Sequence, residues 1–162
     1  MGRLEGEGLV TRRGRVLMVK HVSMNEYLEV LHLRRIIETE AAALACAHLA
    51  EDRLSAIRAS VEAMQDPGTV TPEQHWALDD EIHLSIAEAS GNGQLARLVI
   101  DLRRKTRLFD LRRVPSRFGP GRLEHLAIID ALLRRDAEGA REAMRVHLEN
   151  VKLGILGRLH DF

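Results

Sequence analysis

The sequence has 162 residues, 45% hydrophobic side chains and a formal net charge of zero, enough for one well-packed domain with a short remainder at one end. It holds no apolar run approaching the roughly 20 residues of a membrane span, and Met1 to Val10 is too polar for a signal peptide, so a cytoplasmic protein with no membrane partner is expected. Cys46 is the only cysteine, which excludes an intramolecular disulfide and a cysteine zinc cluster, and 3% aromatic residues argue against a base-stacking single-strand binder.

Taken in chain order, the first twenty residues stand apart. They carry Arg3, Arg12, Arg13, Arg15 and Lys20 against Glu5 and Glu7, and Leu9-Val10-Thr11 and Val16 to Val19 read as two short strands around a basic turn. After about residue 24 the chain reads as helices joined by short connections. Met24 to Ala50 is periodic and alanine-rich, with Cys46 expected to pack there as a small apolar side chain. Glu51 or Asp52 opens a second helix that ends near Gln65, before Asp66-Pro67-Gly68. Thr71 as N-cap, Pro72 at the first helical position and Gln74 closing a capping box mark the next start, and Gly91-Asn92-Gly93 stops that helix. Gln94 to Arg113 forms another, its Arg103, Arg104, Arg107, Arg112 and Arg113 spread around it as a solvated or partner-facing surface. Val114 to Gly121, with two prolines and two glycines, is expected to be a loop. Two final helices follow, divided near Asp136.

Four polar residues sit where apolar ones belong. Asp79 and His83 fall in the stripe of Trp76, Ile82 and Ile86, four residues apart on one helix face. His125 shares a stripe with Ile128, Ile129 and Leu132, and His147 with Ala140, Ala143, Met144 and Val151. Burying these groups without partners costs about 2 kcal/mol or more each, so they satisfy one another or bind something, and a divalent cation would do both. From His125 to the turn near Asp136, and from there to His147, the chain rises by a similar roughly 15 Å. An antiparallel hairpin therefore sets the two rings level. Asp80 is the rival to Asp79 but lies further round the helix. His75 is expected at the surface, and Glu81 and Glu124 are expected to be solvated.

Longer runs carry a resemblance. Glu7-Gly8-Leu9-Val10 through Val19, then Ser23, Glu26 and Glu29 to Glu38, resembles the end of a winged helix-turn-helix and the start of the effector domain in GntR-family transcriptional regulators of the FadR subfamily. Asp79 to His83, Ala89-Ser90-Gly91-Asn92, Glu124-His125, Ile129 to Leu132, and Ala140, Met144 and His147-Leu148 follow the order and spacing of the FCD ligand-binding domain. The resemblance implies an all-α antiparallel helical bundle of about six to seven helices at residues 23–162, preceded at residues 1–22 by the β-hairpin wing remaining from a winged helix-turn-helix. It implies a divalent metal, zinc or nickel, held by Asp79, His83, His125 and His147, with positions left for a small carboxylate effector. Arg34 matches the arginine that often holds that carboxylate, and Asn92 lies in the turn lining the same cavity. A homodimer is implied as well, with DNA as the partner of the full-length regulator. Base reading belongs to the recognition helix, so Arg12, Arg13 and Arg15 of the wing are expected to touch only phosphate or minor groove.

Blander readings compete. Arg34 precedes Glu38 by four residues, which also fits a surface ion pair. One Asp and three His with open positions also suit a metal-dependent enzyme, although di-iron bundles need Glu-x-x-His on each of two helices, a pairing absent here. A metal-stapled dimerisation bundle is the third class. A sensor binds a carboxylate without turnover, an enzyme consumes it, and a structural site shows a closed shell.

Overall fold

The computed structural model describes residues 10–13, 16–19, 23–66, 68–109 and 118–159. Strands β1 (Val10–Arg13) and β2 (Val16–Val19) pair antiparallel, with Val10 opposite Val19 and Arg13 opposite Val16. Among the described residues six helices follow: α1 (Met24–Ala45), α2 (Glu51–Ala63), α3 (Pro72–Ala89), α4 (Gly93–Phe109), α5 (Phe118–Leu133) and α6 (Ala137–Leu159). Helix α1 is the central element. It packs most extensively on α6, and also on α4 and α3, while α5 pairs with α6 and α2 lies on α5.

Local chemistry sets the ends of these helices. Ser23 opens α1 through a capping box, its Oγ accepting from Glu26 N–H while Glu26 Oε2 accepts from Ser23 N–H. Thr71 and Gln74 do the same for α3, with Pro72 at its first position. Gly91, at φ +72°, supplies the left-handed residue that ends α3. Asn92 Oδ1 then accepts from the N–H groups of Gln94 and Leu95, both at 3.1 Å, to start α4. The expected loop at Val114 to Gly121 is corrected in part, because α5 already begins at Phe118. Pro120 lies within its first turn, where the N–H that proline lacks has no helical acceptor. Residues 110–117, with Arg112 and Arg113, lie outside the described residues.

The α5–α6 turn is held with unusual firmness. Arg135 adopts φ 56°, a conformation costing a side chain about 1–2 kcal/mol. Its guanidinium donates from Nη1 to the carbonyls of Cys46 and Leu49, both at 2.8 Å, just beyond the end of α1. Bonds from a charged donor contribute about 1.5–3 kcal/mol each and offset that strain. Asp136 caps α6 through Gly139 N–H, where an added Cβ would lie 2.2 Å from Asp136 Oδ2.

The main core joins Leu54, Ile57 and Val61 of α2, Ile82 and Ile86 of α3, Ile128, Ile129 and Leu132 of α5, and Met144 and Leu148 of α6. Ala41, Ala42 and Ala45 carry α1 into the same cluster. Cys46 is buried with them, and its burial pushes the thiol up from its ordinary value. Replacing Thr71 with Ala removes the Oγ1 acceptor for Gln74 N–H, while the backbone bond from Thr71 N–H to Gln74 Oε1 can persist, and should cost about 1 kcal/mol in urea unfolding; an unchanged midpoint would mean the Thr71 hydroxyl does not set the start of this helix.

Candidate metal centre

Helical spacing brings Asp79 and His83 to the same face of α3, and the α5–α6 hairpin presents His125 and His147 to them. Each residue has a donor atom such that all four lie within 4.8 Å of one another. The His125 and His147 ring centroids are 4.6 Å apart, those of His83 and His147 5.1 Å, and those of His83 and His125 5.7 Å. All three rings are buried, and the Asp79 side chain is 14% exposed. His83 Nε2 and His125 Nε2 are buried with no hydrogen-bond partner. His125 Nε2 lies 3.2 Å from Asp79 Oδ1 without being aligned to bond it, and His83 Nε2 lies 3.8 Å from the same oxygen.

Carboxylates behind the rings fix their tautomers. Glu38 Oε2 meets His83 Nδ1, and Arg34 Nε donates to Glu38 Oε1 at 2.5 Å. Burial alone would raise the Glu38 carboxyl, but Arg34 and His83 outweigh it and hold the group far below the usual carboxylate range. Glu124 Oε2 accepts from His147 Nδ1 at 2.9 Å, and Asn150 Nδ2 donates to Glu124 Oε1 at 2.8 Å. A ring nitrogen facing an ionised carboxylate carries the proton, so the other nitrogen presents a lone pair. Burial, reinforced by the Arg103 charge, lowers the His83 pKa to about 4 against the opposing pull of Glu38. Burial lowers that of His147 to about 3 despite Glu124. Both rings are neutral at pH 7. Asp79 is ionised: burial pushes its carboxyl up, yet Arg103, His125 and His83 hold it well below its ordinary value.

Three buried imidazoles plus one carboxylate, with orphaned nitrogens on two rings and carboxylates behind two of them, form a donor set that fits a divalent cation. The chemistry of the set is nitrogen and oxygen only, which suits zinc, nickel, manganese and other divalent ions alike. A small cavity of about 10 Å³, room for about one water, is lined by Val61, Met64, His75, Leu78, Phe118 and Arg122 and reaches Asp79 and His125.

Other expectations meet a different structure. Arg34 and Glu38 are 5% and 2% exposed, so they are a buried pair and not a surface one. Arg34 Nη1 also lies 3.4 Å from Thr106 Oγ1. Glu124 is not simply solvated, because it orients His147. Arg103 is buried at 3% exposure against the expectation of a surface arginine, with Nη2 2.5 Å from Asp79 Oδ2. Asp80 turns away from the histidines to Arg103 and Arg107. His75 is half-buried with its ring 5.6 Å from that of Phe118. Glu81 pairs with Arg53 at 3.1 Å on the rim. Asn92 is not brought to the cluster: its residue is exposed and its Oδ1 caps α4. Arg12 and Arg13 lie on β1, whereas their side chains and Arg15 fall outside the described residues.

The chain belongs to the FCD domain family, whose model matches residues 29–150. Its fold is shared with solved regulators. The structure of E. coli McbR/YncC superimposes with a TM-score of 0.80 at 20% identity, covering 96% of this chain and 77% of that one. Lar, described as controlling expression of the Listeria monocytogenes agr system, gives 0.75 at 14% identity over 94% and 75%. A GntR-family regulator from Pseudomonas syringae gives 0.66 at 20% identity over 98% and 68%. Comparison with curated protein sequences returns no match. The FCD domain seen here is thus of the kind carried by GntR-family regulators.

The neutral imidazoles set a pH dependence. His83 and His147 titrate near 6.5 when unfolded but at about 4 and about 3 when folded, so between these values the unfolded chain binds more protons. Stability of the metal-free protein should therefore fall as pH drops from 6.5 toward 4, read from urea midpoints. A flat profile across that window would contradict neutral buried rings.

Proposed function

We propose that this chain is the effector-sensing and dimerising part of a GntR-type transcriptional regulator, binding a divalent cation, zinc or nickel, and a small carboxylate. Residues 23–162 form the sensing domain in this reading, and the hairpin within residues 1–22 is the wing of a DNA-binding domain, where Arg12, Arg13 and Arg15 meet phosphate. The observation that carries the proposal is the pair of buried, unpartnered imidazole nitrogens of His83 and His125 beside an ionised Asp79. Leaving such groups without a partner costs about 1–3 kcal/mol each. Asp79, His83, His125 and His147 would hold the cation, which supplies a Lewis-acidic position for a carboxylate oxygen.

Arg34 reaches the site through Glu38 and His83, and acts here as a positioning residue. In this reading the effector enters at the small cavity beside Asp79 and His125, which must widen to admit it. Exposed apolar side chains, among them Leu33 and Ile36 on α1 and Leu98 on α4, offer surface for a second copy of the chain. Among the described residues no helix is long and apolar enough to cross a membrane. Signalling in such a dimer is the difference in carboxylate affinity between two arrangements of the subunits.

Replacing His125 and His147 together with Ala should abolish metal retention and carboxylate binding; unchanged metal content on elemental analysis would sink the reading. Glu38→Gln removes only the carboxylate behind His83 and should weaken zinc binding about 10- to 100-fold, measured by competition with a chelator. Zinc affinity equal to that of the unaltered chain would show that Glu38 does not tune the site.

A further inference from the structure

Arg103 lies between α3 and α4 with one end of its guanidinium unspent. Nε and Nη2 donate to Asp80 Oδ1 at 3.0 and 2.7 Å, and Nη2 also donates to Asp79 Oδ2 at 2.5 Å. Nη1 is buried and has no partner, in a residue only 3% exposed. The planar group makes its direction readable. Asp80 occupies the side edge formed by Nε and Nη2, so the bond to Asp79 leaves from the terminal edge that Nη2 shares with Nη1. One N–H of Nη1 therefore projects from the same edge as the bond to Asp79, one of the four clustered residues.

Neighbouring acceptors do not meet this need. Asp80 Oδ2 accepts from Arg107, and Glu38 Oε1 and Thr106 Oγ1 face Arg34. Around the site Glu38, Asp79, Asp80 and Glu124 balance Arg34, Arg103, Arg107 and the cavity-lining Arg122. A dication would leave this balance at about +2, which favours an anion over a neutral ligand at the centre.

We propose that Arg103 Nη1 is the protein anchor for the effector's carboxylate and selects an anion over a neutral metal ligand. The inference rests on the metal-and-carboxylate reading above. One carboxylate oxygen takes an open position at the cation and the other accepts from Nη1, as the Asp79 carboxylate already spans the histidines and Nη2.

The test uses the full chain loaded with cobalt(II), whose visible absorption reports ligands entering the coordination sphere, titrated separately with acetate and with imidazole. Arg103→Lys keeps a charge for Asp79 and Asp80 but loses the terminal edge. It should retain cobalt stoichiometry and bind imidazole within about twofold of the unaltered chain, while acetate weakens about tenfold or more. Acetate affinity unchanged by Arg103→Lys and by Arg103→Gln overturns the inference alone, as does equal weakening of acetate and imidazole, which marks a merely structural role. A wild-type chain that takes up no cobalt, or takes it up and ignores acetate, overturns the metal-and-carboxylate reading and this inference with it. A measurement without substitution decides independently of variant folding: in nitrogen NMR of the zinc-loaded wild-type chain, acetate should shift the Arg103 guanidinium signals, and unmoved signals would overturn the proposal.

Discussion

Ionised carboxylates cannot lie in the interior of a helical bundle unless something there answers their charge. Transferring such a group without compensation costs several kcal/mol, comparable with the whole stability of a small domain. Here the answer takes one form repeated across the site: a donor holds a carboxylate, and the carboxylate faces an imidazole. Arg34 holds Glu38 against His83, Asn150 holds Glu124 against His147, and Arg103 holds Asp79 beside His125. The first two arrangements place the proton on the outer ring nitrogen, and the third keeps the acid ionised. The core is thereby stocked with lone pairs and negative charge.

Because the network spans elements, it also ties the bundle together. Arg34 and Glu38 come from α1, Asp79 and His83 from α3, Arg103 from α4, Glu124 and His125 from α5, and His147 and Asn150 from α6. A ligand taken up here acts at once on helices that otherwise meet through separate apolar contacts. The α5–α6 hairpin is fixed independently by Arg135 and Asp136, so its two histidines arrive already level. Such a site lets a small ligand bias helix packing, provided the arrangements differ in their affinity for it.

Much of this was legible before any fold was known, for reasons that differ by residue. Asp79, His83, His125 and His147 stood out because each interrupts an apolar stripe, and equal helix lengths on either side of Asp136 predict level rings. Glu38 and Arg34 were hidden by their spacing, since an i, i+4 charge pair on a helix usually marks the surface. The same stripe test was available, because Leu31, Arg34, Glu38, Ala41 and Ala45 recur at helical intervals and all are buried. Arg103 likewise follows Ala96 and Val99 on the buried side of α4, but several arginines around one helix obscure which one turns inward. Glu124 gave no periodic signal, since adjacent residues point about 100° apart on a helix and its partners lie on α6. The start of α5 was missed because Pro and Gly were read as breakers, whereas a first turn tolerates both.

In the proposed sensor, Asp79 makes stability and ligand binding share the same atoms. Its Oδ1 faces the histidines and its Oδ2 meets Arg103, so the carboxylate couples the donor set to a guanidinium on α4. Without a cation, the unpartnered Nε2 atoms of His83 and His125 lie beside this carboxylate, whose other oxygen Arg103 holds. A bundle built for stability alone would place apolar side chains at these positions, since replacing buried charge networks with hydrophobic residues is often neutral or stabilising. Retaining the polar set leaves part of the folding free energy dependent on what occupies the centre. In the proposed reading, that dependence is what would let the packing respond to a small ligand.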